Sequence, residues 1–418
     1  MKANRMTIWG RWLATVLWVS FIFTGISQAN GGWVIEREEK PKSPLFKNTQ
    51  SIAHKLTPEQ KEQQLLARTY VKALDEYRDQ VRAYWPAGEV SSKSRWVSYS
   101  ADWEAKRVVD FEYNRMEISV DNQAKGKRVN FAALSKVVRR HVEDVIGSRV
   151  SEAVNSDPIN KALNKKLADL GAKKQKANND LVLPELFKNA NPTQREIRAY
   201  AMKLMKGASV RYQTQTASLA ALPVKTNSKI TYVIPLPDNR IRKKVKEYTP
   251  LVRKQAEQFS LAEDIVMAII HTESHFNPLA RSHVPAFGLM QIVPSTAGRD
   301  ATRKLFNKPR LLSARYLYDP KRNIEVGTAY LNMLYYDYLK GIKNPESRLY
   351  YSIAAYNAGA SAVAKAFISQ ASLQKAIPVI NKMTPDQVLK RILTKLPRKE
   401  TREYVKKVLK HRAYYRRV

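Results

Sequence analysis

Residues 260 to 291 read S-L-A-E-D-I-V-M-A-I-I-H-T-E-S-H-F-N-P-L-A-R-S-H-V-P-A-F-G-L-M-Q, and the fold of the second half of the chain turns on this stretch. Ser260 followed three residues later by Glu263 has the spacing of a capping box, in which each side chain satisfies a backbone N–H that the first helical turn leaves unpaired. The pattern predicts a helix starting at Ser260. Ala262, Val266, Ile269 and Ile270 recur at i, i+4, i+7 and i+8, the spacing of one buried face of a helix. Glu273 continues that face near the C-terminal end, before Asn277-Pro278 stops the helix. A carboxyl group held there loses hydration and faces the negative end of the helix dipole, and both effects favour its protonated form. That is the state a general acid needs at neutral pH. The plainer alternative is a helix-end glutamate that only pairs with an arginine.

Further blocks accompany this stretch in a fixed order. They are D-P-K-R-N-I-E-V-G-T-A-Y-L at 319–331, A-A-Y-N-A-G at 354–359 and E-T-R-E-Y-V at 400–405. With T-E-S-H-F-N-P at 272–278, A-R-S at 280–282 and G-L-M-Q at 288–291, the chain from about Asp238 to Val418 resembles the goose-lysozyme-like lytic transglycosylases. The resemblance implies a mainly helical, lysozyme-like domain that cleaves the MurNAc-GlcNAc bond of peptidoglycan, with no cofactor. It implies that Glu273 acts alone, first as acid and then as base, while the muramic acid's own primary hydroxyl closes an anhydro ring in place of water. Carried over by motif, Ser282 and Gln291 contact sugar or its N-acetyl group, and Tyr356 and Asn357 line the same cleft. Tyr404 and Glu400 close it from the last helix as a buried hydroxyl and a buried carboxylate supporting Glu273. Asn323, Ile324, Gly327 and Tyr330 read as scaffold, with Gly327 allowing close helix packing. The chain departs from the pattern at Ser274-His275-Phe276, where relatives often have Ser-Ser-Phe, and at Pro285 and Phe287, which replace smaller residues. Both bear on which sugars the cleft prefers.

Most glycosidases use two carboxyl groups, and Asp300 and Asp319 are the candidates for a second one. A rival reading is a metal site, because His271 and His275 stand at i, i+4 as zinc ligands on a helix do, with His283 in the following loop. A zincin places its glutamate directly after the first histidine, whereas here Thr272 intervenes. Further alternatives are a hydrolytic lysozyme and a catalytically weak murein-binding or secretion-associated module, the last of which an intact Glu273 argues against.

The 418 residues carry 73 Lys plus Arg against 37 Asp plus Glu, a net charge of +36, which predicts attraction to a polyanion. Nucleic acid, anionic lipid headgroups and the carboxylates of murein peptides all satisfy charge alone. The family resemblance selects peptidoglycan strands, with peripheral envelope-membrane association and no nucleic acid. The chain contains no cysteine, which excludes disulfides, thiolate catalysis and lipid attachment through cysteine. Membrane-bound members of the family are lipoproteins, and here that anchor has no residue to use.

Lys2, Arg5 and Arg11 precede an apolar run of about 15 residues from Trp12 to Ile26, shorter than the roughly 20 that span a bilayer. Ser27-Gln28-Ala29 follows, so 1–29 is expected to be a secretory signal peptide cleaved after Ala29, delivering a periplasmic or envelope-associated protein. Residues 30–56 read as a tether. The expected fold class is α+β, with a mixed, murein-positioning N-terminal domain over 57–235 and the lysozyme-like domain over 238–418, divided at Pro235-Leu236-Pro237. In the first, Thr57-Pro58-Glu59-Gln60 opens a long helix with the stripe Leu66, Tyr70, Leu74, Tyr77, Val81 and Tyr84, ended by Trp85-Pro86. Alternating apolar residues between Val90 and Val120 predict strands, as do 210–212 and 230–234. Phe131 to Val150 and Thr193 to Met205 read as helices, and the lysine-rich 161–176 as a solvated helix face or linker. This part resembles, more loosely, the amino-terminal domain of membrane-bound family members.

Overall fold

The computed structural model describes residues 56–121, 130–173, 175–213 and 229–417. The expected signal peptide and nearly all of the expected tether lie outside these residues. Among the described residues no helix is long and apolar enough to cross a membrane.

The first described element, α1 (Pro58–Arg82), begins as the sequence dictates. Gln60 N–H donates to Thr57 Oγ1 at 3.2 Å, Thr57 N–H donates to Gln60 Oε1 at 2.7 Å, and Pro58 occupies the first turn where its missing N–H costs nothing. Leu66, Tyr70, Leu74 and Val81 are buried. The stripe ends there, since the helix stops at Arg82, ahead of Trp85-Pro86, and Tyr84 lies exposed and stacked on Trp103 with ring centroids 5.1 Å apart.

β1 (Arg95–Tyr99), β2 (Ala105–Asp110), β3 (Arg115–Asp121), β4 (Ser209–Gln213) and β5 (Lys229–Pro235) form one antiparallel sheet in the order β1-β2-β3-β5-β4. α2 (Phe131–Gly147) and α5 (Gln194–Met205) pack on it, burying Val138, Val142, Ile197 and Ala201. Between them lie α3 (Val150–Ser156) and α4 (Pro158–Asp169). The lysine-rich segment is thus largely a packed helix. α4 buries Ile159, Leu163 and Leu167, rests on α1, and keeps Lys161 and Lys165 in solvent.

Beyond Pro237 the described chain is helical: α6 (Arg240–Gln258), α7 (Glu263–Ser274), α8 (Ala297–Phe306), α9 (Ala314–Leu317) and α10 (Pro320–Asn332), which runs into a π-helical turn at Met333–Tyr338. α11 (Pro345–Ala358), α12 (Ala360–Ile368), α13 (Leu373–Ile380), α14 (Pro385–Lys395) and α15 (Lys399–Tyr415) complete it. The α+β class expected from the sequence is what the chain adopts. The change at Pro235-Leu236-Pro237 is a change of secondary structure and not a gap in packing. Buried Arg240 of α6 donates to Asn114 Oδ1 at 2.7 Å and to the Phe111 carbonyl at 3.0 Å, and both acceptors belong to the sheet-bearing part. Glu185 accepts Arg240 at 3.4 Å and is ion-paired with Lys244 at 3.1 Å, so two buried cations share one buried carboxylate across the same junction.

The central helix starts later than its sequence predicts. Ser260 adopts a left-handed backbone, φ 51°, and donates its N–H to the Glu257 carbonyl at 3.2 Å, closing α6 instead of opening α7. Glu263 turns its carboxylate to Arg253 at 2.9 Å, and α7 begins with no side-chain cap. The helix is also buried all round from Ile265 to Ile270 instead of along one stripe, because α6 and α15 both pack on it, while Ala262 stays exposed. It ends at Ser274, three residues before Asn277, through left-handed His275 (φ 50°) and Phe276 (φ 63°).

Candidate active site

Glu273 is the penultimate residue of α7, and its side chain is 4% exposed. Two phenols and one ammonium face it. Tyr404 of α15 has a buried hydroxyl with no hydrogen bond of ordinary geometry; burial, then the Glu273 charge, then Tyr356 push its pKa well up. Tyr356 of α11 is pushed up in the same way, by burial, Glu273 and Tyr330, and its hydroxyl donates to the Met290 carbonyl at 2.9 Å. Both phenols therefore stay neutral beside the carboxylate. The ammonium is Lys93 Nζ, 2.8 Å from Glu273 Oε2, from the turn that leads into β1. Glu273 does pair with a cation, then, but one supplied by the N-terminal part, where sequence reading saw no catalytic group.

The roof of the site is the loop carrying G-L-M-Q, and Asn323 holds it in place. This fully buried side chain, on the first turn of α10, accepts the Met290 N–H at 2.7 Å and donates to the carbonyls of Phe287 at 2.9 Å and Leu317 at 2.7 Å. Gly288 sits against it with φ 75°, where a Cβ would lie 2.2 Å from the Leu317 oxygen and 2.3 Å from Asn323 Nδ2. Gly327 is needed for a different contact from the one expected. A Cβ there would meet the side chain of Met290, from this loop, at 2.4 Å, not a neighbouring helix. Gln291 ends the motif in a left-handed conformation, φ 49°, a strain of about 1–2 kcal/mol for a non-glycine residue. Its Nε2 donates to the Gly288 carbonyl at 3.0 Å, while Oε1 is buried without a partner.

The remaining expected residues divide. Asn357 follows Tyr356 on α11, and its Oδ1 accepts the Thr401 hydroxyl at 2.7 Å, tying α11 to α15. Ser282 spends its hydroxyl inside its own turn, donating to the Val284 carbonyl at 2.8 Å and accepting the Val284 N–H at 3.2 Å. Its carbonyl accepts the hydroxyl of Tyr70 at 2.6 Å, so the first helix braces this loop. Glu400 is exposed in the first turn of α15, not buried, because only Thr401 and Tyr404 of that turn face inward. It reaches the site as a charge acting on Lys93. Asp319 is the N-cap of α10, accepting the Arg322 N–H at 3.0 Å. Asp300 lies on α8, where burial pushes its pKa up while Tyr338 and Arg303 hold it down.

Sequence reading also passed over Asn277 and Arg281. Asn277 Nδ2 donates to the Lys93 carbonyl at 3.1 Å, and Arg281, 2% exposed, pairs with Asp157 at 2.7 Å. Both lie inside quoted motifs, but their partners are in the other half of the chain and no local pattern points to them.

The histidines form a packed cluster. His271 stacks on His411 with centroids 3.8 Å apart, its Nδ1 meets the Tyr415 hydroxyl at 2.8 Å, and His275 abuts it edge-on at 5.4 Å. His283 is exposed. Among the described residues no group of three His, Cys, Asp or Glu side chains is arranged to hold a metal. Burial first, then the neighbouring histidines, lower His271 to about 3, and burial then His275 lower His411 to about 4. The folded state thus binds fewer protons here than the unfolded chain, whose imidazoles titrate near about 6.5. Stability is full above that value and falls as pH drops from about 6.5 toward 4, each neutral-held imidazole contributing up to about 1.4 kcal/mol per pH unit. Thermal unfolding followed between pH 7 and 4 should show the midpoint falling, and less so in His411→Phe. An unchanged slope in that variant would contradict the assignment.

The model of the transglycosylase SLT domain family matches residues 250–378. A membrane-bound lytic murein transglycosylase C of Pectobacterium atrosepticum is 40% identical over 245 residues, covering 56% of this chain and 68% of the relative. The protein of the same description from Serratia proteamaculans is 40% identical over 223 residues, covering 51% of this chain and 61% of the relative. The chain thus spans about three fifths to two thirds of the length of these curated relatives. Among solved structures, the 70 kDa soluble lytic transglycosylase of Escherichia coli is 32% identical over 40% of this chain and 24% of its own, with a TM-score of 0.31. The Pectobacterium match is longer than everything from Asp238 to Val418, so the likeness extends from the helical part into the sheet-bearing part. On that extent of identity, the chain belongs to the family of lytic murein transglycosylases.

Proposed function

We propose that the protein cleaves the MurNAc-GlcNAc bond of peptidoglycan as a lytic transglycosylase, with Glu273 as the sole acid and base. The observation that carries this reading is one buried carboxylate flanked by two neutral phenols. Asp319 is committed to capping α10, and Asp300 is engaged with Tyr338 and Arg303. Glu273 gives its proton to the glycosidic oxygen as the bond to the muramic anomeric carbon breaks. The resulting carboxylate takes the proton of the muramic primary hydroxyl as that oxygen bonds to the same carbon. No water is consumed, and Glu273 ends protonated as it began. An internal nucleophile has an effective concentration on the order of 10⁵ M or more when well oriented, which stands in for a second carboxylate.

The roles of the surrounding residues follow from their free atoms. Gln291 Oε1, buried and unpartnered, is an acceptor for a sugar hydroxyl or N-acetyl N–H. The Tyr404 hydroxyl, placed against Glu273, is a donor to the carboxylate. Tyr356 and Asn357 shape the wall between them, and Ser282 contributes through the turn it closes. The murein named for the relatives is the substrate in this reading, and the +36 charge suits its anionic peptides. Digestion of isolated sacculi should release soluble fragments with anhydromuramic ends. Fragments with reducing muramic ends would establish a hydrolase, and no release at all would favour a binding module.

A further inference from the structure

Lys93 reaches Glu273 from a segment built to present it. Between Val90 and β1, Ser91 Oγ donates to the Val97 carbonyl at 3.1 Å and accepts its N–H at 2.9 Å, and Ser92 N–H donates to the Arg95 carbonyl at 2.8 Å. The catalytic side grips the same backbone. Asn277 Nδ2 holds the Lys93 carbonyl at 3.1 Å, the Arg281 N–H holds that of Ser92 at 3.3 Å, and Arg281 Nε holds that of Ser91 at 3.4 Å. Nothing about this resembles a loose surface lysine that has fallen onto a nearby carboxylate.

Among the described residues, Lys93 from the turn before β1, Tyr356 from α11 and Tyr404 from α15 face Glu273, with exposed Glu400 acting on Lys93. The phenols are neutral, so Lys93 is the charge. Burial works to discharge it, but Glu273 and then Glu400 more than offset that and raise it above its ordinary value. The ammonium therefore persists across any assay range around neutrality. An ammonium at 2.8 Å favours the ionised carboxylate over the protonated acid. The two halves of the reaction need opposite states of Glu273, and this contact favours the second.

Resting on the acid-then-base reading above, we propose that Lys93 is a positioning residue that orients the Glu273 carboxylate and stabilises the negative charge it carries between the two proton transfers. The N-terminal part is then a contributor to the active site. Lys93 stabilises the carboxylate as the leaving sugar takes its proton.

The test is the pH profile of fragment release from sacculi by the full chain, at constant ionic strength, for wild type, Lys93→Met, Lys93→Gln, Lys93→Arg and Glu273→Gln. The alkaline limb should move up in the Met and Gln variants and stay in place in the Arg variant. Thermal unfolding of each identifies any variant that has lost its fold; of the Met and Gln variants, one that folds suffices. An unmoved limb in that variant, at whatever overall rate, overturns the inference and leaves Lys93 a packing or sugar contact. Glu273→Gln separates the two claims. If it cleaves normally, the acid-base reading fails irrespective of Lys93; if it is inert while the limb does not move, only the Lys93 inference fails.

Discussion

Glu273→Gln is expected to slow murein cleavage by at least about 10²- to 10⁴-fold, the range for loss of a general acid, and by more if both steps use the same group. The amide keeps the shape of the side chain at the end of α7 but donates no proton of suitable acidity and accepts none. Its structural cost should be modest. Lys93 loses its partner, yet its side chain is 35% exposed and can turn toward water, unlike a cation sealed in a core. The measurement is initial fragment release beside circular dichroism of the same sample. Wild-type turnover in a folded Glu273→Gln protein would remove the residue from the mechanism.

Asn323→Ala should be the most damaging substitution outside the carboxylate. Its side chain satisfies one buried N–H and two buried carbonyls at 2.7–2.9 Å, all of them backbone groups in or beside the G-L-M-Q loop. Each stranded group costs about 1–3 kcal/mol, and a small cavity adds to that, so a loss of roughly 3–5 kcal/mol is expected. Activity should fall further than stability explains, because Met290 also accepts the Tyr356 hydroxyl and Gln291 is the next residue. Asn323→Asp should be no rescue, since it keeps the acceptor for Met290 but turns a carboxylate oxygen toward two carbonyls. A melting temperature within two or three degrees of wild type in Asn323→Ala would show that the loop is held by something else.

Features governed by neighbours in sequence were legible. Thr57 with Gln60 forms the capping box its spacing announces, and the alternation between Val90 and Val120 and the run at 230–234 become strands. The Ser260 box has the same spacing and fails, because α6 ends there and takes Ser260 for its own C-terminal turn, while Arg253 takes Glu263. A capping signal is local, but two helices can compete for one residue. Glu273 itself was legible from both burial pattern and motif, and its burial near the end of α7 is as expected. Its partner was not. Lys93 lies 180 residues away in a serine-rich turn with no periodicity to mark it, and the bonds from Asn277 and Arg281 to that turn bring the two together. Glu400 shows the converse error. Its motif suggested burial, but it sits one helical turn before Tyr404, in the part of the first turn that α15 leaves in solvent.

In the proposed mechanism one carboxylate and the substrate's own hydroxyl replace the two carboxyl groups and the water of an ordinary glycosidase. Digestion of isolated sacculi in water enriched in heavy oxygen, with the fragments weighed by mass spectrometry, tests it most directly. Muramic ends lighter by one water than reducing ends, carrying no heavy oxygen, are expected. Reducing muramic ends that have gained a water bearing the label would contradict it.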